Sequence, residues 1–83
     1  MYTVYVLRSF KDGRTYVGCT KNFENRLKEH NAGEVISTKK RVPFKLWYKE
    51  EYVNKHEAYK REQHFKTAWG RRKLRKILDT LHD

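Results

Sequence analysis

A turn signal, Asp12-Gly13, lies between two runs of residues that favour β-strands. The first run covers residues 2–9, and the second covers residues 15–17 and ends at Gly18. Because Asp-Gly is a preferred dipeptide of tight hairpin turns, this pattern predicts an antiparallel β-hairpin near the N-terminus.

Two tyrosines, Tyr5 and Tyr16, fall on the two predicted strands of this hairpin. Side chains alternate between the faces of a strand, so the hairpin loop decides whether the two phenols meet. A loop with an even number of residues places them on one face, whereas an odd loop or a β-bulge separates them.

A helix is predicted after the hairpin. Either Asn22 or Thr20 can cap its N-terminus, and the segment 31–33, Asn-Ala-Gly, ends it. Phe23 and Leu27 are four residues apart and form its apolar stripe. A basic loop over residues 33–43 follows.

A third strand and two further helices complete the chain. Pro43 precedes a predicted strand over residues 44–48 that can extend to Tyr52. Asn54 and Glu57, three residues apart, resemble a capping box at the start of the next helix.

The last predicted helix runs from about Arg71 to Leu81, after an interruption at Trp69-Gly70. Its inner face is predicted to consist of Leu74, Ile77, Leu78 and Leu81. The element order is therefore β-β-α-β-α-α, which predicts an α+β domain with a small antiparallel sheet. A chain of 83 residues has room for one core, so we expect a single domain, with residues 71–83 as a basic C-terminal helix.

The charge balance favours a polyanionic partner. Lys and Arg number 20 against 10 Asp and Glu, a formal net charge of +10. Nucleic acid is the first candidate and an anionic membrane surface the second. No apolar run is long enough to span a membrane, and no secretory signal is visible, so we expect a cytoplasmic protein. A single cysteine, Cys19, excludes an intrachain disulfide and a multi-cysteine zinc site.

Glu62 is the first candidate for chemistry, because it lies between Ala58 and Phe65 on the stripe of the second helix that should be buried. A carboxylate is rarely buried without a partner. It could be a ligand of Mg²⁺, which commonly binds one carboxylate together with substrate phosphates and water. The alternatives are an ion pair with Lys66, four residues later, or a tilt of the helix that exposes Glu62 to solvent.

Arg26 and His30 also lie four residues apart on one helix. Together they could grip a phosphate, or they could form an ordinary solvated basic face. Tyr5 and Tyr16 could act as general bases or hydrogen-bond donors, or they could simply pack in the sheet.

The C-terminal half carries a strongly one-sided charge. Nine Lys or Arg and two Glu lie between residues 55 and 76. Phosphate contacts with such a stripe would be salt-dependent and nearly independent of sequence. We expect the following residues to bind the substrate: Lys21, Lys39, Lys40, Arg41, Lys66, Arg71, Arg72 and Lys73.

The ordered set formed by Thr3-Val4-Tyr5, Tyr16-Val17-Gly18, Arg26, His30 and Glu62 resembles the GIY-YIG nuclease superfamily. The resemblance covers nearly the whole chain, and its length is similar to that of the small stand-alone members. It implies a three-stranded antiparallel sheet flanked by helices, with the active site on one face of the sheet. It also implies that Gly18 ends the second motif and that Glu62 binds one divalent metal ion, Mg²⁺ or Mn²⁺.

The activity that the resemblance implies is hydrolysis of phosphodiester bonds in DNA. Arg26 would donate to the phosphorane oxygens and one tyrosine would take the proton of the attacking water. Tyr5 is the favoured base, with Tyr16 and His30 as orienting groups, although the roles of the phenols can be exchanged.

Three positions depart from the family pattern. Thr3 stands where the first motif has Gly, and Cys19 stands where some members have Lys, a role that Lys21 could take over. No Asn follows Glu62, which loosens the expected positioning of metal or phosphate.

The sequence thus predicts a monomeric, structure-selective DNA endonuclease in DNA repair or processing. One alternative is a non-catalytic nucleic-acid-binding module on the same fold, for which Glu62 would cost affinity. Another is an adaptor of a larger repair protein, which would use an exposed apolar patch around Trp47, Tyr48 and Tyr52.

Overall fold

The computed structural model describes residues 1–82, with the backbone alone at residues 68, 69, 81 and 82. Of the predicted C-terminal helix, the side chain of Leu81 and the whole of Asp83 lie outside the described part. The elements are β1 (Tyr2–Ser9), β2 (Thr15–Thr20), α1 (Phe23–Asn31), a 3₁₀ turn (Lys39–Arg41), β3 (Phe44–Tyr52), α2 (Lys55–Lys66) and α3 (Ala68–His82).

The three strands form one antiparallel sheet in the order β2-β1-β3. This confirms the predicted α+β fold, with its three-stranded sheet and its β-β-α-β-α-α order. A register shift between Val6 and Leu7 of β1 leaves Trp47 as an extra residue in β3, because Val6 pairs with Tyr48 and Leu7 pairs with Leu46. This β-bulge was not predicted.

The sheet separates two small hydrophobic clusters. On one face, Val4, Val6 and Val17 pack with residues of α2 and α3, among them Phe65 and Leu74. On the other face, Tyr5, Leu7 and Phe44 pack with residues of α1, including Phe23 and Leu27. The two faces of the sheet are therefore covered by different helices, α2 and α3 on one face and α1 on the other.

The predicted asparagine caps start both helices. Asn22 Oδ1 accepts a hydrogen bond from the backbone N–H of Asn25 at 3.2 Å, and this cap begins α1. Asn54 Oδ1 accepts from His56 and Glu57 at 2.8 and 3.2 Å at the start of α2. These bonds satisfy backbone donors that have no partner within the helix.

The break between the last two helices lies earlier than predicted. α3 begins at Ala68, so Trp69-Gly70 belongs to its first turn, and the interruption falls at Thr67. Thr67 Oγ1 donates to His64 O at 2.7 Å and accepts from the Gly70 N–H at 3.0 Å, which ends one helix and caps the next. A Cβ at Gly70 would overlap the carbonyl of His64, so glycine here permits close packing rather than a break.

No helix within residues 1–82 is both long enough and apolar enough to cross a lipid bilayer.

Candidate active site

The two tyrosines of the hairpin lie on the same face of the sheet. Tyr5 pairs with Gly18 and Leu7 pairs with Tyr16, so all four side-chain positions share that face. The ring centroids of Tyr5 and Tyr16 are 6.5 Å apart. The hairpin loop therefore has the even number of residues that the sequence analysis required for the two phenols to share a face.

Gly18 makes room for the Tyr5 ring across the two strands. A Cβ at Gly18 would overlap the Oη and Cζ atoms of Tyr5. Glycine at this position is thus a spatial requirement of the phenol and not a requirement of backbone conformation.

Tyr5 begins a buried chain of hydrogen bonds. Its Oη lies 3.0 Å from His30 Nε2, and His30 Nδ1 lies 2.8 Å from Thr38 Oγ1. Thr38 Oγ1 in turn donates to Val35 O at 3.5 Å. The Thr38 hydroxyl therefore accepts a hydrogen bond from His30 Nδ1–H. This leaves His30 Nε2 unprotonated, so it accepts a hydrogen bond from the Tyr5 hydroxyl.

The three side chains of this chain, Tyr5, His30 and Thr38, are 1%, 0% and 0% exposed. His30 is thus neither on a solvated basic face nor in direct reach of a phosphate in this conformation. Its position fits a group that holds Tyr5 in place. The sequence analysis did not identify Thr38, because nothing in the sequence of the basic loop indicates that this residue contacts His30 of α1.

Burial shifts both titratable members of the chain toward their neutral forms. It raises the pKa of Tyr5 to about 12, an effect that the nearby Arg26 guanidinium partly offsets. Burial, followed by the charge of Arg26, lowers the pKa of His30. At neutral pH the phenol is protonated and the imidazole is neutral, as the hydrogen-bond assignment requires.

Arg26 lies beside both phenols at the solvent side of this cluster. Interaction with the Tyr5 hydroxyl is the main cause that raises the pKa of Arg26, and the charges of Tyr5, Glu29 and Tyr16 add to it. Its Nη1 is 3.5 Å from Glu29 Oε2. This ion pair is partly exposed, so a phosphate can replace it at little cost.

Tyr16 is the accessible phenol of the pair. It is partly exposed, whereas Tyr5 is buried, and its ring centroid lies 5.2 Å from that of His30. Water or a substrate can therefore reach the Tyr16 ring directly, whereas the Tyr5 ring is closed off from solvent.

Glu62 lies on α2, which packs on the sheet face opposite Tyr5, but its charge still acts on that phenol. Its side chain is 14% exposed, and its Oε2 accepts from Lys66 Nζ at 3.1 Å, the pair that the alternative interpretation predicted. Its charge also raises the pKa of Tyr5 and, after burial, that of Cys19. The carboxylate thus lies within electrostatic range of the phenol cluster.

The donor set around Glu62 fits one kind of metal site. Among the side chains that the structure describes, no three His, Cys, Asp or Glu cluster as they would in a protein cage for a metal ion. A single mostly buried carboxylate suits Mg²⁺ or Mn²⁺ held jointly by protein, substrate phosphate and water. The ion would compete with Lys66 for Oε2, and a pair of this kind is worth only about 0.5 kcal/mol.

The predicted substrate-binding cations are divided among several places. Lys39 and Lys40 are exposed on the 3₁₀ turn that follows Thr38. Lys21 is exposed just after β2, with its Nζ 5.9 Å from the Tyr2 ring centroid. Arg41 instead clamps the hairpin turn, since its Nε donates to Asp12 Oδ2 at 2.7 Å. This bond lowers the pKa of Asp12 to about 2.

The remaining predicted cations lie on the other side of the sheet or at its border. Lys66 is occupied by Glu62. The exposed residues Arg71, Arg72 and Lys73 project from α3, which packs on the face opposite Tyr5.

Gly18→Ala should disturb the cluster without removing any of its polar groups. The added methyl group must push the Tyr5 ring away from His30, and overpacking of this kind typically costs about 1–3 kcal/mol of unfolding free energy. Urea denaturation measures the loss. In a Tyr5→Leu background the overlapping atoms Cζ and Oη are both gone, so the same substitution should cost clearly less. An equal cost in both backgrounds would show that Gly18 and the phenol are not coupled.

Comparison of the chain with known protein families identifies the class to which it belongs. The GIY-YIG catalytic domain family matches residues 1–75. The chain therefore belongs to the GIY-YIG family, whose fold is that of a nuclease.

The more specific likeness is to UPF0213 proteins. The chain is 45% identical over 74 residues to one from Bacillus licheniformis, which covers 88% of this chain and 75% of that protein. It is 41% identical over 75 residues to one from Staphylococcus aureus, with 89% and 90% covered. The solution NMR structure of a UPF0213 protein from Bacillus halodurans is 31% identical, covers 93% of this chain and 85% of the other, and has a TM-score of 0.58.

Proposed function

We propose that this chain is a metal-dependent endonuclease that hydrolyses phosphodiester bonds in DNA. One observation carries the proposal: Tyr5, Tyr16, Arg26 and His30 meet on one sheet face, within electrostatic range of the Glu62 carboxylate. A binding module needs neither a buried phenol–imidazole chain nor a carboxylate beside a polyanion.

In the proposed reaction, Tyr16 first gives its own hydroxyl proton to solvent beside the Arg26 cation, and the resulting phenolate accepts the proton of the attacking water. The Arg26 guanidinium donates to the non-bridging oxygens of the scissile phosphate as their charge grows. His30 fixes Tyr5 from behind, and Tyr5 in turn fixes the position of Arg26 through the interaction between their polar groups.

Glu62 would hold the divalent ion, Mg²⁺ or Mn²⁺. Once bound, the ion neutralises charge on the phosphate and stabilises the leaving 3′-oxygen. Lys66, which pairs with Glu62 in this structure, would contact the DNA backbone if its ammonium group were not held by that carboxylate.

We further propose that the substrate is recognised by its structure and that the reaction belongs to DNA repair or processing. The exposed cations on the 3₁₀ turn and on α3 can contact phosphates. Phosphate contacts position a protein on nucleic acid but carry no sequence information.

The adaptor alternative receives no support from the aromatic residues on which it rested. Trp47, Tyr48 and Tyr52 are partly buried against the α2 side of the sheet, and both tyrosine hydroxyls donate to Glu50.

The direct test is cleavage of end-labelled DNAs: duplex, single strand, flap, nicked duplex and four-way junction. Each substrate is incubated with wild-type protein in Mg²⁺, in Mn²⁺ and in EDTA. We expect cutting of at least one branched or single-stranded substrate with either metal and none in EDTA. Binding without cutting on every substrate would overturn the proposal in favour of a binding module.

A further inference from the structure

Two cations and two aromatic rings form a continuous row on the sheet face opposite Tyr5. The Arg8 guanidinium lies 4.3 Å from the Trp47 ring centroid, and Lys45 Nζ lies 5.0 Å from the same centroid. Lys45 Nζ is also 5.6 Å from the ring centroid of Phe10, a side chain that is 64% exposed. We call these four residues the cation–aromatic row.

The row is held together despite a repulsion within it. Arg8 and Lys45 are directly opposite each other in the β1–β3 pairing, where like charges destabilise a sheet. Among residues 1–82, neither of them forms an ion pair with a carboxylate. The repulsion between the two facing cations destabilises the chain on its own. The same two cations and the exposed ring beside them suit the binding of a partner that is both anionic and aromatic.

The β-bulge of β3 builds this arrangement. Trp47 is the extra residue, so it lies on the same sheet face as its neighbour Tyr48 instead of the opposite one. Bulges redirect side chains in this way and are common next to functional sites. Here the bulge places the indole between Arg8 and Lys45.

A groove of about 1020 Å³ is lined by members of both the row and the candidate active site. Arg8 and Trp47 of the row line it, and so does Tyr16 of the candidate site. Arg71 and Arg75 of α3 contribute two further cations. One of its acidic residues, Asp12, is already paired with Arg41.

We propose that the cation–aromatic row and this groove bind a single-stranded segment of the nucleic-acid substrate as it leaves the candidate active site. The inference rests on the proposed function and names the form of substrate that it takes. The cations would contact phosphates, and the exposed ring of Phe10 would stack on a base.

A single strand fits this surface better than a duplex for two reasons. A ring can stack on a base only where that base is unstacked from its neighbours. Tyr16 belongs to the Tyr5 face and Trp47 to the opposite face, so a bound strand that contacts both must turn around the sheet. Duplex DNA, with a persistence length of about 50 nm, does not bend so sharply at low cost.

The test is fluorescence anisotropy with a labelled 12-nucleotide thymidine oligomer and a labelled 12-base-pair duplex, both in EDTA so that cutting cannot interfere. The variant is Phe10→Ser/Lys45→Gln. The control is Tyr59→Ser/Lys60→Gln, which removes one exposed ring and one cation from α2, with Tyr59 55% exposed. All three proteins are checked for folding by circular dichroism.

We expect the variant to bind the single strand about 10-fold more weakly than wild type, since loss of one stacked base alone has an effect of that order. Its salt dependence should also become shallower by about 0.7 in the log–log slope, the value for one phosphate contact on a single strand. The control should bind the single strand within twofold of wild type, and the variant should bind the duplex within twofold.

Equal weakening by variant and control, or no weakening by the variant, would overturn the inference, as would an equal loss on the duplex. The cleavage test separates this failure from failure of the proposed function. If wild type cuts DNA in a metal-dependent way but the variant binds the single strand normally, the proposed role of the cation–aromatic row is wrong and the nuclease proposal stands. If the variant loses single-strand binding selectively but wild type cuts no substrate, the nuclease proposal is wrong and the row is still a binding surface.

Discussion

Tyr16→Phe is expected to lower the single-turnover cleavage rate by about 10²–10⁴-fold, the usual contribution of a general base. Tyr16 is the phenol that solvent reaches, so it is the one that can contact the attacking water. Its loss removes the proton acceptor and leaves the ring in place. The rate is measured with excess enzyme on the best-cut substrate in Mg²⁺, where binding no longer limits the signal.

Tyr5→Phe is the matched control, because it removes the same atom from the neighbouring ring. It breaks the hydrogen bond to His30 and leaves a buried imidazole nitrogen without its donor, so we expect it to cost about 1–3 kcal/mol of unfolding free energy. Its effect on the cleavage rate should be at least tenfold smaller than that of Tyr16→Phe. The reverse order of effects would assign the base to Tyr5.

Glu50→Gln is expected to destabilise the fold by about 2–3 kcal/mol, because it leaves a largely buried arginine without its counter-ion. Glu50 accepts hydrogen bonds from Tyr48 Oη, from Tyr52 Oη at 2.6 Å and from Arg61 Nε and Nη2 at 2.8 and 3.1 Å. These bonds fasten α2, the helix that carries Glu62, to the edge strand β3. Urea denaturation at pH 7 measures the effect.

The control for this substitution is Glu51→Gln on the same strand. Glu51 is 49% exposed and makes only a loose pair with Lys49, so its loss should change stability by less than about 0.5 kcal/mol. An equally small effect at Glu50 would show that its network does not stabilise the fold.

The same network predicts how stability depends on pH. Burial alone would raise the pKa of Glu50, but hydrogen bonds from Arg61, Tyr48 and Tyr52 outweigh it and lower the pKa from 4.5 to about 2. The stabilisation is therefore complete above about pH 4.5 and is lost as the pH falls toward 2. Over this window wild type should lose stability more steeply than Glu50→Gln, and parallel curves would contradict the assignment.

The fold was largely predictable because its signals are local. The Asp12-Gly13 turn and the caps at Asn22 and Asn54 each depend on a few neighbouring residues, and the structure has all three. The start of α3 was wrong because Gly70 was interpreted as a break. Glycine is needed there for contact with His64, a neighbour that sequence spacing does not indicate.

The candidate site was predictable as a set of residues but not as a geometry. Spacing put Arg26 and His30 on one helix, yet it could not show that His30 turns inward to meet Tyr5 and Thr38. The β3 bulge and the pairing of Arg8 with Lys45 depend on a strand that returns from far along the chain. Such long-range register is set by packing of the whole sheet.

The measurement that tests the central claim most directly compares Glu62→Gln with Glu57→Gln in Mg²⁺ and in EDTA. Both residues lie on α2, but Glu57 is exposed in its first turn, away from the phenol cluster. Cleavage rate and DNA affinity are measured for each. Our account predicts that Glu62→Gln cuts at least about 10³-fold more slowly than wild type, as expected when charge stabilisation at the reacting phosphate is lost. It should bind DNA as tightly as wild type or more tightly in EDTA, and Glu57→Gln should behave like wild type. Metal-dependent cutting at the wild-type rate by Glu62→Gln would contradict the account.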